Sequence, residues 1–459
     1  MALSEQIVLA ACNIRYQDLP DFTIERAKLF LLDTIGVAFA GRHAEGVDGV
    51  LEMVRELAGT PQAKVFGVNL KVPAPLAAMT NSLMAHARDF DDLYEPGGVH
   101  VNITVVPAAI AAAQKKGGVS GKNFLISLIA GVDLVCRLGA AMPVYRGWHV
   151  SATFGVFGAA LAAGLILDLT PQQLANALGL AYSRCAGTRQ GRLEGTLAKR
   201  LQPALACQSG VMAALLGQKG ITGPKEWLEG TWGLVKVYGD DHSDPSDLAV
   251  EKLKNNLGKE FYGDGLSFKL YPCCKVTHTS IEAALSLKKE HNLRVEEIER
   301  VSVNVSTGAY NTVGQPFEIR TDSQVDAQFS IPYTVALALT DGQVSLSGFE
   351  PNRILDPRIK DFVKKVYVTA DPEMRDISAN MVNLATKMVI HTPRGSFLKE
   401  LSICKGHPSN PPQTGEVIEK FKECVRYGRS LSEDQIESTV QLLFDIENLT
   451  DVDLLFDNL

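Results

Sequence analysis

Two stretches of this chain carry no polar side chain on any side. Ala108–Ala113 and Ala159–Leu167 are built from alanine, glycine, leucine and isoleucine alone. A helix that is apolar on every face has to be covered on every face, so a thin helical shell is excluded and a layered bundle of helices is required. The longest apolar run, Ala152 to Leu167, stops short of the ~18–20 residues that cross a bilayer. It reads as a buried helix, and no membrane partner is expected.

The surrounding sequence repeats this pattern up to about residue 265. From Thr23, the residues Ile24, Ala27, Leu31, Ile35 and Ala38 recur at helical spacing and stop before Gly41. Further helices are predicted over 74–87, 121–139, 151–169, 170–185 and 202–219. Thr170-Pro171 supplies a hydroxyl cap followed by proline at the first helical position. The run Ala63 to Val68 is a candidate strand.

After residue 266 the period changes. Arg300–Ser306, Lys365–Ala370, Thr386–Thr392 and Leu398–Ile403 alternate with β-branched residues, and Pro393-Arg394-Gly395 marks a hairpin turn between the last two. Helical segments at 279–291, 330–339 and 357–365 lie among them. From Ser430 the chain is helical again, and its end is expected to pack back on the first half.

Charge narrows the function. With 45 Lys+Arg against 52 Asp+Glu and a net charge of −7, there is no basic excess to displace the counterions of a polyanion, so no nucleic acid partner is expected. Eight scattered cysteines without a CxxC pair read as reduced thiols in a cytoplasmic setting. The N-terminus has no basic segment followed by an apolar run, so no signal peptide is expected.

Four clusters carry candidate chemistry. His86, Asp89, Asp91, Asp92, Glu95 and His100 fall within fifteen residues after an apolar helix. Carboxylates at a helix C-terminus oppose its dipole, which leaves two functional readings open: aspartates on a divalent cation, or a carboxylate orienting His100 as a general acid or base. His149 opens the second apolar helix, where it either caps or relays a proton. The segment Arg184–Arg200 places Arg184, Arg189, Arg192, Lys199 and Arg200 in a glycine-rich loop suited to carboxylates or phosphates. Lys269 and His278 flank Cys273-Cys274, and both are expected to face a cleft. Adjacent cysteines chelate poorly, so zinc is not expected.

Taken in order, these clusters resemble the MmgE/PrpD family. The matching residues are Ala78–Ser82 running into Asp89-Phe-Asp-Asp92 and His100, Val106-Pro107, Gly147-Trp-His149, Ala198-Lys199-Arg200, Tyr271–Cys274 with His278, and Phe329-Ser330 through Tyr333. The resemblance implies a mainly α fold: a large all-helical bundle domain from both ends of the chain (1–266 and 405–459) and a smaller α+β lid domain (267–404). It also implies a cleft active site, a homodimer, no metal and no cofactor. The implied activities are those of a 2-methylcitrate dehydratase, a cis-aconitate decarboxylase or an iminodisuccinate epimerase. Carried over by position, the catalytic residues would be Asp89, His100, Lys199, His278 and Tyr333. Lys269, Arg200, His149 and Leu93 would bind substrate.

Four positions depart from the family pattern: Leu93 where a hydroxyl is common, Val101-Asn102 after His100, Gln202 in place of histidine, and the extra step Gly97-Gly98-Val99. All sit where substrate groups would be recognised. The expected chemistry is acid/base catalysis by His100, oriented by Asp89, together with His278. Lys199, Arg200 and Lys269 would hold a small di- or tricarboxylate and stabilise the developing carbanion. An aspartate-rich, metal-dependent lyase and a non-catalytic binding protein are the competing readings.

Overall fold

A computed structural model describes every residue except 58, 143–146, 240–246, 320–322, 377–381, 430 and 458. It is mainly helical, with a small mixed sheet in the C-terminal region. The two all-apolar segments lie in the helices Asn102–Lys116 and Val150–Ile166, and the latter is buried along nearly its whole length. Both pack among Gly121–Ala141 and Ala198–Gln218. Small residues make this possible. A Cβ on Gly158 would lie 2.3 Å from Val135 Cγ2 and 2.7 Å from the Gly131 carbonyl, so the two backbones touch where side chains would otherwise hold them apart. Gly121–Ala141 is long and apolar enough to cross a membrane, but 94% of that window is buried inside the fold.

Local signals act as expected. Thr170 caps Pro171–Tyr182 through a reciprocal pair with Gln173. The helix at Thr23 begins slightly earlier, as Asp21–Ala40. The late helix predicted from Ser430, itself outside the described residues, runs Glu433–Phe444. The candidate strand at Ala63 shrinks to β1 (Ala63–Lys64), paired with β2 (Lys71–Val72).

The sheet contains β3 (Arg300–Val305), β4 (Val366–Ala370), β5 (Thr386–Thr392) and β6 (Gly395–Leu401), in the order β4-β3-β5-β6. β3 runs parallel to β4 and antiparallel to β5, with Val303 opposite Met388. The β5–β6 hairpin closes at Thr392–Gly395 around Pro393-Arg394.

Buried apolar residues form two cores. One extends from Leu3 to Phe268, adds Leu346, and takes in Val417 to Leu459; the other extends from Cys273 to Ile390. The end of the chain therefore returns to its first half. Thr414–Gly428 lies on Asp21–Ala40, where Lys420 pairs with the buried Asp33 at 2.6 Å and places its ammonium 3.9 Å over the Phe90 ring. The first core with its helices forms a body, and the second, with the four-stranded sheet, forms a second unit, the lid.

Candidate active site

A cavity of about 430 Å³ opens between body and lid. Its floor is the loop that follows the helix Ala74–His86. The chain leaves that helix through Asp89, held in the left-handed region at φ 51°, a conformation aspartate tolerates better than most residues. Leu93 bridges to Ser267, Tyr94 pairs with Val99, and Gly98 turns at φ 58°. Asp92 then accepts the N–H groups of Val101 (3.2 Å) and Asn102 (3.1 Å) at the start of Asn102–Lys116. The loop is thus closed on itself, and His100 is delivered to the cavity just before that helix.

The three aspartates have separate partners. Asp89 is clamped between two lysines: Lys199 Nζ reaches Oδ1 at 2.6 Å, while Lys269 Nζ reaches Oδ2 and the backbone carbonyl, each at 2.9 Å. Burial pushes the Asp89 carboxyl up, but the two lysines overcome it and hold the group well below the ordinary range. Asp91 Oδ2 lies 3.0 Å from His86 Nδ1 and 2.8 Å from His100 Nδ1. The contact to His86 is an aligned hydrogen bond, and the one to His100 is a charge contact at hydrogen-bond distance. Asp92 caps a helix; burial first, and then Asp91, push its carboxyl up to about 7.

His100 is therefore oriented by Asp91, not by Asp89 as expected from sequence. His86, fully buried and 4.9 Å from His100 ring to ring, shares the same oxygen. Burial lowers its pKa to about 4, with Lys199 adding to the effect and Asp91 opposing it. His149, just ahead of Val150–Ile166, has Nδ1 2.9 Å from Gln202 Oε1, and burial also drives it well down.

His86, Asp91 and His100 are the group of metal-ligand side chains gathered among the described residues, with candidate donor atoms within 4.8 Å of one another. The fit to a tetrahedral ion is poor. The nitrogen–oxygen separations of 2.8 and 3.0 Å are those of N–H···O⁻ contacts, shorter than the roughly 3.4 Å between ligands about 2.1 Å from a tetrahedral ion. Asp89 and Asp92 do not converge on that point either.

Residues 5–246 match the MmgE/PrpD N-terminal domain, and residues 271–446 match the MmgE/PrpD C-terminal domain. The chain belongs to the MmgE/PrpD family. This is a family of lyases acting on small carboxylates. A cis-aconitate decarboxylase of Aspergillus terreus is 27% identical, over 98% of this chain and 94% of the relative. A human cis-aconitate decarboxylase is 25% identical, over 99% and 94%.

In this MmgE/PrpD member the cavity gathers Asp89, Leu93, His100, His149, Lys199 and Lys269 from among the expected residues. It does not gather three others. Arg200 is buried outside the lining, with Nη1 3.5 Å from the Glu45 carbonyl. His278 starts the helix His278–Glu290 with no exposed surface, its Nε2 3.3 Å from the Cys273 carbonyl and its ring against Tyr271. Tyr333 lies in the lid core between Phe317 and Phe349 and donates its hydroxyl to the Gly348 carbonyl at 2.5 Å.

Other residues take the vacant wall positions. Arg189 and Arg192 come from the glycine-rich loop, and Arg192 lies 5.2 Å over the Phe329 ring. Cys274 faces the cavity while its neighbour Cys273 is fully buried. Burial pushes the Cys274 thiol up and Asp89 adds to it, so it remains protonated. The basic loop was a legible signal for the arginines. Nothing in the sequence distinguishes the two cysteines.

Proposed function

We propose that this protein is a metal-independent carbon lyase that decarboxylates or dehydrates a small di- or tricarboxylate, of the cis-aconitate or 2-methylcitrate kind, using His100 for proton transfer. The observation that carries this reading is the pairing of two charge systems on one cavity floor: Lys199 and Lys269 on Asp89, and His100 on Asp91.

The cavity wall holds five cationic side chains, Arg189, Arg192, Lys199, Lys269 and Lys275, against the carboxylates of Asp89 and Glu95. That excess suits an anion with two or three carboxylates, held by charge-assisted hydrogen bonds. An ionised Asp91 favours the His100 tautomer with hydrogen on Nδ1, which leaves Nε2 to exchange a proton with substrate. In dehydration, a base removes the proton α to a carboxylate and an acid protonates the departing hydroxyl. In decarboxylation, the carbon–carbon bond breaks, carbon dioxide leaves, and the electron pair passes into the remaining unsaturated carboxylate before protonation at carbon. In both cases negative charge moves onto carboxylate oxygens, where buried ammonium groups stabilise it more than in the ground state.

The similarity to cis-aconitate decarboxylases over nearly the whole chain supports decarboxylation over dehydration. The test is incubation of chelator-treated protein with citrate-, aconitate- and malate-like acids in deuterated water, followed by proton NMR. Carbon dioxide release with one deuteron at carbon is the expected result. Deuterium exchange without elimination would assign an epimerase instead, and activity that returns only with added magnesium would overturn the metal-independent reading.

The proposal includes a homodimer. Leu205, Met212 and Leu216 are exposed along one side of Ala198–Gln218, the helix that carries Lys199 near its start, and a stripe of this kind is usually covered by a partner. Light scattering is expected to give twice the 49.6 kDa chain mass.

A further inference from the structure

The cavity wall is divided by chemistry. Its cations come from the body and from the segment that joins body to lid. Among the described residues, those between 276 and 403 that face the cavity carry no charge. What the lid presents instead is uncharged: the aliphatic Val276, Val382, Leu384 and Ile403, with the polar Asn311, Thr312, Asn383 and Ser402 beside them. None of the four aliphatic residues is fully buried: Val276 and Val382 pack partly against the lid core, and Ile403 is 38% exposed.

These side chains are held by the lid's own framework. Leu384 and Ile403 each lie two residues beyond the Thr386–Leu401 pair that ends the β5–β6 ladder. Thr279 Oγ1 donates to the Leu384 carbonyl at 2.5 Å, which ties that backbone to the helix start next to Val276. Leu93 and Val150 add apolar surface from the body side. A cavity of about 430 Å³ is also in the range of ~300–1,000 Å³ that encloses drug-sized ligands, more than a six-carbon acid fills. Water facing that aliphatic surface is released when hydrocarbon covers it.

We propose that the acid turned over here bears a hydrocarbon substituent of several carbons, seated against Val276, Val382, Leu384 and Ile403 while its carboxylates meet the cations of the body. The acid itself rests on the lyase reading above; the substituent rests on the lid wall.

The test uses one homologous series of aconitates and citrates, unsubstituted and bearing methyl, propyl and hexyl chains. Calorimetry gives the Kd of each, and proton NMR gives turnover on the same samples. Kd is expected to fall roughly fourfold per added methylene over the first carbons. Leu384→Asn should flatten that dependence, and Ile403→Asn serves if the first variant does not fold. A Kd that is constant or rises with chain length overturns the substituent site, even if the unsubstituted acid is converted. Tight, chain-length-dependent binding without conversion of any member supports the substituent site and overturns the lyase reading.

Discussion

On the body side of the cavity, ionisable groups are buried and paired: Asp89 with two lysines, Asp91 with two histidines. On the lid side, the ionisable groups expected to react, His278 and Tyr333, lie away from the wall, which is lined there by uncharged side chains, aliphatic and polar. The charged part of the wall thus belongs to the body and the linking segment, and the lid's part is uncharged. The contrast teaches that two histidines of one sequence pattern can be placed differently: His100 lines the cavity, and His278 does not. The neutral carbonyl of Cys273 is the only hydrogen-bond partner found for the His278 ring among the described residues, whereas His100 faces an ionised carboxylate.

Removing His100 should show the largest effect. His100→Ala is expected to lower turnover by ~10²–10⁴-fold with an unchanged circular dichroism spectrum, and near-normal activity would break the contrast at its centre. Asp91→Asn should cost roughly 10–100-fold, because the partner that fixes an imidazole's tautomer is lost; the pH–rate profile should move with it. A purely structural Asp91 would leave that profile in place.

His86 offers a thermodynamic check. Its folded pKa of about 4 lies below the ordinary 6.5, so its contribution to stability is complete above pH 6.5 and is lost as pH falls toward 4. The stability difference between wild type and His86→Gln should therefore shrink over that window, by up to ~1.4 kcal/mol per pH unit, as read from urea melts. A constant difference would mean that His86 is not held neutral by burial.

Smaller effects are expected in the lid. His278→Gln should retain turnover close to wild type while losing ~1–3 kcal/mol of stability through its disturbed buried contacts. A loss of activity matching that of His100→Ala would place catalysis in both walls. Tyr333→Phe should have the least effect, about 1 kcal/mol of stability for the hydrogen bond to Gly348, with unchanged kcat and KM.

Much of the fold was legible because apolar periodicity is a local property. The helices at 74, 121, 150 and 171 and the hairpin at Pro393 follow from spacing, caps and turn residues. The density of ionisable groups between His86 and His100 was legible for the same reason. Their pairing was not. Lys199 and Lys269 reach Asp89 across 110 and 180 residues of sequence, and carboxylates two and three positions apart were sent to different partners by a single left-handed residue. Side-chain direction at helix starts was equally hidden. His278 begins one helix, and Tyr333 follows the Ser330 cap of another; in both cases packing against the lid core decided the outcome.

The double hold of Lys269 on Asp89 has a mechanical meaning. Lys269 directly follows Phe268, which stacks on Phe30 at 3.9 Å in the body core, and a few residues later the chain enters the core of the lid. Its ammonium grips both the carboxylate and the backbone carbonyl of the residue that turns the loop on the cavity floor. The segment that links the two cores and the anchor of the charge network therefore share one residue, so a displacement of this segment would also displace the charges of the floor.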